Sequence, residues 1–244
     1  MREPCSDNCT NDSRKLWGKG IVSYCFDNGV SKNLIHSVKS AMKEISEASS
    51  IRFVKRTDQF DYVKIVDKGS YWSYVGKQGG KQELSVTNGW PHPIGSAIHE
   101  LMHALGIYHE HCRPDRDKYV TIKDDIKNNT NYKRLKKSNV VSFGPYDFKS
   151  IMHYSLGPDM TSKQEVNDKI GQRFRMSEGD IYALNKLYPS TSCSPASDDQ
   201  IGLTGKSDAK KMIKRNKSNF EQKIISRSNL LLLLVVGLYI VLLS

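Results

Sequence analysis

Three things are scarce in this chain of 244 residues: apolar side chains over much of its length, paired cysteines, and any apolar run near its start. Hydrophobic residues make up 38%. The deficit sits at the polar, lysine-rich ends, so a sizeable core can form only in the middle. The five cysteines, Cys5, Cys9, Cys25, Cys112 and Cys193, include no CxxC pair, which argues against a zinc ribbon, and their odd number leaves one thiol over in a monomer. The first thirty residues hold no run of signal-peptide length. Export is therefore expected to need a segment that this sequence lacks, or an unusual route. There is no internal repeat.

The formal charge of +11 would raise nucleic acid as a partner. The basic residues do not gather around aromatics, however, and many lie late in the chain, at Lys206, Lys210, Lys211, Lys214, Arg215, Lys217 and Lys223. A solvated or membrane-proximal segment accounts for them, and no nucleic acid is expected. Four triplets fit the N-glycosylation pattern, beginning at Asn8, Asn11, Asn128 and Asn216, and point toward secretion.

Residues 1–15 are polar, contain Pro4, and read as a loose leader. An apolar, β-branched run at 20–26 reads as a strand closed by Asp27-Asn28-Gly29. Ser31 can then cap a helix whose Leu34, Ile35, Val38, Ala41, Met42 and Ile45 form one stripe. Short strands are expected at 51–54, 62–66, 71–75 and 82–86, a second helix at 94–105, and a last one at 177–187 capped by Ser177. The expected domains are the leader, a catalytic domain at 16–193, a basic polar spacer at 194–229, and a hydrophobic tail at 230–243.

On the second helix, His99 and His103 stand four residues apart, so both imidazoles leave one face and can share a metal ion. Glu100 sits beside them, within reach of a water on that ion. Gly106 lets the backbone turn after the helix, so that His109 can return as a third ligand. Three protein ligands leave coordination open, which marks a catalytic zinc rather than a structural one. Downstream, Ser150-Ile151-Met152-His153-Tyr154 matches the turn whose methionine lies beneath such histidines. His111 and His153 are read as structural.

The run His99-Glu100-Leu101-Met102-His103-Ala104-Leu105-Gly106-Ile107-Tyr108-His109-Glu110-His111, with Arg113-Pro114-Asp115-Arg116-Asp117, resembles the signature of the astacin family of metzincin zinc endopeptidases. The resemblance continues through Trp72-Ser73-Tyr74-Val75-Gly76, Gly171-Gln172-Arg173 and Ser177-Glu178-Gly179-Asp180, and covers nearly all of residues 16–193. It implies a two-lobed α+β fold: a mixed N-terminal sheet with helices, and a smaller irregular C-terminal lobe with a terminal helix. It further implies one catalytic Zn2+ on His99, His103 and His109, Glu100 as general base, and Tyr154 as a switchable fifth ligand or oxyanion partner. Met152 and Gly106 would support the centre, and Glu110 would tie the processed N-terminus into the structure. Protein or peptide substrates follow from the same resemblance.

Relative to that family, Ser50, Tyr71 and Trp90 stand at three of the four expected cysteine positions, and only Cys193 matches. Tyr71 and Trp90 are expected to pack against each other instead, and Cys112 could pair with Cys193 to fasten the zinc loop. No inhibitory prosegment is read before Trp17. The tail, fourteen uncharged residues from Leu230 to Leu243, suits a glycolipid-anchor signal with Ser207-Asp208-Ala209 or Ser218 as attachment positions, or a short retained anchor. Either gives an extracellular or cell-surface location, except that a retained anchor under the positive-inside rule would leave the catalytic domain in the cytosol. The competing functions are a catalytically idle zinc fold used for binding or adhesion, and a basic surface binder working through the tail. Glu100, whose loss is the simplest route to idleness, is present. Deleting residues 194–244 is expected to leave proteolysis of casein intact; lost cleavage in a folded protein would instead assign the tail to catalysis.

Overall fold

A computed structural model describes residues 8–166 and 169–190, all within one compact unit, Met1–Ser192. The spacer and tail expected after residue 193 lie outside the described residues. The leader expected at 1–15 is not loose from residue 8 on. Asn8–Thr10 forms strand β1, buried throughout and antiparallel to residues 140–142, with Cys9 opposite Val141. Thr10 N–H donates to Gly106 O at 2.8 Å, and Tyr108 N–H to Asn8 O at 2.7 Å. Backbone pairing, which needs no apolar side chain, therefore recruits a polar segment that composition alone assigns to solvent. Asn8 is wholly buried, whereas Asn11 and Asn128 are exposed.

The β-branched runs form β2 (Ile21–Phe26), β3 (Arg52–Lys55), β4 (Tyr62–Val66), β5 (Trp72–Ser73) and β6 (Lys81–Ser85), joined in the order β3-β2-β4-β6-β5. All pairs are parallel except β5 with β6. A parallel sheet needs its connections laid across a face. Helix α1 (Lys32–Ala48) supplies one, with the Ser31 hydroxyl accepting from Leu34 N–H at 3.4 Å and Leu34, Val38, Ala41, Met42 and Ile45 buried. β5 is shorter than its sequence suggests, because Gly76 turns away at φ +75 and gives its N–H to His103 O at 2.8 Å.

Helix α2 (Pro93–Ala104) is buried on every side from Gly95 onward. Polar side chains on such a helix must find partners or carry out chemistry. The first core contains α1, α2 and the sheet, and it also receives Ala183, Leu184 and Leu187 of α3 (Glu178–Leu187). Although last in sequence, α3 packs on the larger core. A smaller core of Val120, Ile122, Tyr146, Phe148, Met160 and Ile170 organises the C-terminal lobe. Here β7 (Val120–Ile122) pairs with β9 (Met160–Ser162), and β8 (Val140–Ser142) is the partner of β1. No helix among the described residues is long and apolar enough to cross a membrane.

The expected ring contact is seen, and a hydrogen bond that was not expected accompanies it. The rings of Tyr71 and Trp90 meet edge-on at 5.9 Å, and the Ser50 hydroxyl donates to Tyr188 O at 2.6 Å. Cys193, the partner expected for Cys112, lies outside the described residues. Cys112 is a free thiol whose Sγ lies 3.3 Å from Asn131 O.

Helix α3 begins with a reciprocal cap in which Ser177 Oγ accepts from Asp180 N–H at 2.9 Å and Asp180 accepts from Ser177 N–H at 2.7 Å. Ser177 also donates to Asp147 at 2.6 Å. Ser177→Ala is expected to cost about 1–2 kcal/mol, read as a lower urea midpoint at unchanged slope.

Candidate metal centre and catalytic cleft

Buried imidazoles in α2 are satisfied in a way that leaves two nitrogen lone pairs facing a third imidazole. His99 Nδ1–H donates to Ile151 O at 2.8 Å, and His103 Nδ1–H to Ile107 O at 2.7 Å. Those bonds place the protons on Nδ1 and leave both Nε2 atoms bare. His109 Nε2 completes the group, 3.2 Å from His99 Nε2 and 3.0 Å from His103 Nε2. The three donor atoms fall within 4.8 Å of one another. Burial pushes His99 and His109 well below the usual imidazole range and His103 down to about 4, with neighbouring imidazoles and Arg173 adding to the effect. Three neutral imidazoles with converging Nε2 atoms are the donor set a zinc ion takes.

Gly106 makes this convergence possible. Its φ of +98 is left-handed, and a Cβ there would come 2.8 Å from Thr10 Cγ2. After the turn, Glu110 N–H donates to Met152 O at 3.1 Å. The methionine turn is thus fixed to the residue following His109, and Met152 itself is fully buried in the larger core. Asp180 anchors the same turn from the other side, accepting from Ser150 Oγ at 2.7 Å and Ile151 N–H at 2.9 Å.

Glu100 is buried, and its carboxyl is pushed up to about 8 by burial, an effect the nearby Arg173 guanidinium opposes. The Tyr154 ring lies 4.4 Å from that of His109, and its phenol is pushed up to about 12 by burial, so it remains a donor at neutral pH. Glu110 is completely buried, with Oε1 accepting from Asp147 N–H at 2.8 Å and from Arg113 at 3.3 Å. The expected link from Glu110 to a processed N-terminus falls outside the described residues. His153 bonds Tyr146 OH at 2.7 Å, and His111 Nε2–H donates to Asn131 O at 2.8 Å. His111 and Cys112 also bring ligand atoms within 4.8 Å of a His109 donor atom, which puts His111 closer to the centre than its reading as structural suggests.

His99, Glu100 and Tyr154 open into a cavity of about 710 Å3 bounded by Trp90, His92, Arg173 and Phe174. A larger groove of about 1070 Å3 adjoins it and shares Lys169, Gln172 and Phe174, but holds none of the three histidines. Chemistry, not size, therefore places the site in the smaller cavity. Sequence reasoning passed over Arg173 and Asp180 as site residues. Arg173 bonds only the carbonyls of His153 at 3.1 Å and Gln172 at 2.9 Å, with no ion pair among the described residues. Nothing in a Gly-Gln-Arg string announces a half-buried cation near Glu100.

A mixed sheet under a buried histidine helix, with a glycine turn and a methionine turn closing the cleft, defines the zinc-peptidase class of metzincin type. A family model described as Astacin, a peptidase family, matches residues 9–189. High choriolytic enzyme 1 of Oryzias latipes is 37% identical over 188 residues, 70% of this chain and 67% of that protein. Zinc metalloproteinase nas-14 of Caenorhabditis elegans is 36% identical over 187 residues, 71% of this chain and 37% of that protein. The chain spans roughly one third to two thirds of the length of these curated relatives. The solved structure of the Oryzias latipes hatching enzyme superposes with a TM-score of 0.60 at 34% identity, covering 75% of this chain and 94% of that one. The chain belongs to the astacin family of zinc metalloendopeptidases.

Burial pushes the Cys112 thiol up to about 12, while Cys25 is half-buried. Because the thiolate is the nucleophile, iodoacetamide is expected to label Cys25 in the native protein and Cys112 only after unfolding, as read by residue-level mass spectrometry.

Proposed function

We propose that this chain is a zinc-dependent endopeptidase, with His99, His103 and His109 holding one zinc ion through Nε2, Glu100 as general base and Tyr154 as oxyanion donor. The observation that carries this reading is the convergence of the Nε2 atoms of His99, His103 and His109 beside a buried carboxyl. When bound, zinc supplies Lewis acidity, polarising a carbonyl and lowering the pKa of a water.

The chain's own residues then divide the work. Glu100 takes a proton from the attacking water and returns it to the leaving amine. Burial raises the proton affinity of this carboxyl, which suits the return of the proton to the amine. Tyr154, protonated at neutral pH, donates a hydrogen bond to the oxyanion as the carbonyl becomes tetrahedral, an interaction worth more in the transition state than in the substrate complex. The carbonyls of Ile151 and Ile107 hold two imidazoles in one tautomer, and Met152 fills the space beneath without offering a competing charge. Glu110 and Gly106 fix the return of the chain to His109.

The chain matches a peptidase family, which supports proteins or peptides as substrates. An extracellular or cell-surface setting is part of the reading, supported by the exposed acceptor triplets at Asn11 and Asn128. Attachment through 230–243 belongs to the same proposal, on composition alone.

Zinc-loaded protein is expected to cleave casein, and a chelator to abolish the cleavage. Glu100→Gln should lower kcat by about 10²–10⁴-fold, and Tyr154→Phe by about 10²-fold with little change in KM. A fully metallated chain without chelator-sensitive cleavage would leave the idle binding fold as the better description.

A further inference from the structure

A side chain other than glycine in the left-handed region costs about 1–2 kcal/mol. His92 adopts that region, at φ +57 and ψ +58, immediately before α2. At such a position Ser, Thr, Asp or Asn would satisfy a free helix N–H, and His92 makes no such bond. Helix capping therefore does not explain a histidine here. What the described structure gives its ring is Phe174, with centroids 4.3 Å apart at 61°.

Phe174 is itself unusual, with an apolar ring 55% exposed yet held from two sides. His92 meets it on one side, and Lys169 Nζ lies 5.3 Å from its centroid. The residues belong to separate segments, the turn before α2 and the stretch after residue 168, and both line the cavity that holds His99 and Glu100. Trp90, 58% exposed, lines the same cavity and leans on Tyr71. The two segments are also locked together. A Cβ on Gly95, in the first turn of α2, would come 1.8 Å from Arg173 O. The backbone that carries Phe174 is therefore held against the start of the catalytic helix.

Solvent-exposed rings are costly to keep in one orientation unless something is to be placed against them. Here they are pre-positioned at the mouth of a cleft, so a substrate side chain that covers them gains apolar burial without the entropic cost of ordering them. We propose that His92 and Phe174 form a fixed aromatic wall of the substrate cleft and select an aromatic or large aliphatic side chain of the polypeptide at one subsite. The inference rests on the peptidase reading for its substrate class. The backbone strain at His92 is the cost of aiming the ring.

The test digests a proteome-derived peptide library with zinc-loaded wild type, Phe174→Ala, His92→Gly and His92→Phe. His92→Gly accepts the left-handed backbone without strain, so it folds and isolates the ring. Wild type is expected to enrich Phe, Tyr and Leu at one position near the cleaved bond. Phe174→Ala and His92→Gly should flatten that position alone, and His92→Phe should retain it. On a matched peptide pair with Phe or Ala there, the wild-type preference in kcat/KM is expected at about 10–100-fold, carried by KM, and should fall to near unity in the first two variants. Binding of the same pair to zinc-loaded Glu100→Gln, with and without Phe174→Ala, is measured by fluorescence anisotropy and needs no turnover. If zinc-loaded wild type cleaves nothing while Glu100→Gln still shows a Phe-over-Ala binding preference that Phe174→Ala removes, the wall stands and the peptidase reading falls. Equal binding of the two peptides, or library profiles of Phe174→Ala and His92→Gly that superimpose on wild type, would overturn the wall.

Discussion

The carboxylate of Asp180 holds the site in register. One oxygen takes the Ser150 hydroxyl and the other takes Ile151 N–H and Ser177 N–H, so a single buried group begins α3 and pins the methionine turn. Ile151 O in turn receives His99 Nδ1–H. From the cap of the last helix to the tautomer of the first histidine there are only two intervening groups. A buried carboxylate that accepts this many short bonds is satisfied as an anion and cannot be replaced by a shape-matched amide without leaving a donor opposed. The catalytic centre is thus rigid because a helix cap, ordinarily a local device, is shared with it.

Much of this was legible in the sequence, and for definite reasons. The stripe of α1 and the His99, His103 and Gly106 spacing are periodic signals, and periodicity survives without coordinates. The boundaries of β4 and α3 followed from alternation and from Ser177. What could not be read was backbone pairing and burial. β1 is polar in composition and becomes buried only because Val140–Ser142, more than a hundred residues away, offers it a ladder. Arg173 was visible as part of a string, but its position beside Glu100 depends on how the segment around Gly171 crosses the start of α2. Asp180 stood in the sequence as part of the Ser177-Glu178-Gly179-Asp180 string, and its bonds to the methionine turn have no sequence signal.

Where relatives of this kind would carry cysteines, different physics holds the same places. Tyr71 and Trp90 make an edge-on ring contact, and Ser50 ties the start of β3 to Tyr188 through a hydrogen bond. An aromatic pair of this kind is worth about 0.5–1.5 kcal/mol beyond its area, against about 2–4 kcal/mol for a disulfide. The replacement is weaker, but it is indifferent to redox conditions. It also leaves Trp90 at the mouth of the cleft, where a disulfide would present little apolar surface.

Asn8 has both side-chain polar atoms buried and without a hydrogen-bond partner, inside a strand whose backbone is paired on both sides, to Ser142 and to Tyr108. It is also the first residue of an Asn-Cys-Thr triplet. A sugar attached to that amide and the strand that contains it cannot coexist, since no path leads from the buried nitrogen to solvent. Folding of β1 and carbohydrate addition at Asn8 are therefore rival fates of one nascent segment, and every molecule with this fold has taken the first.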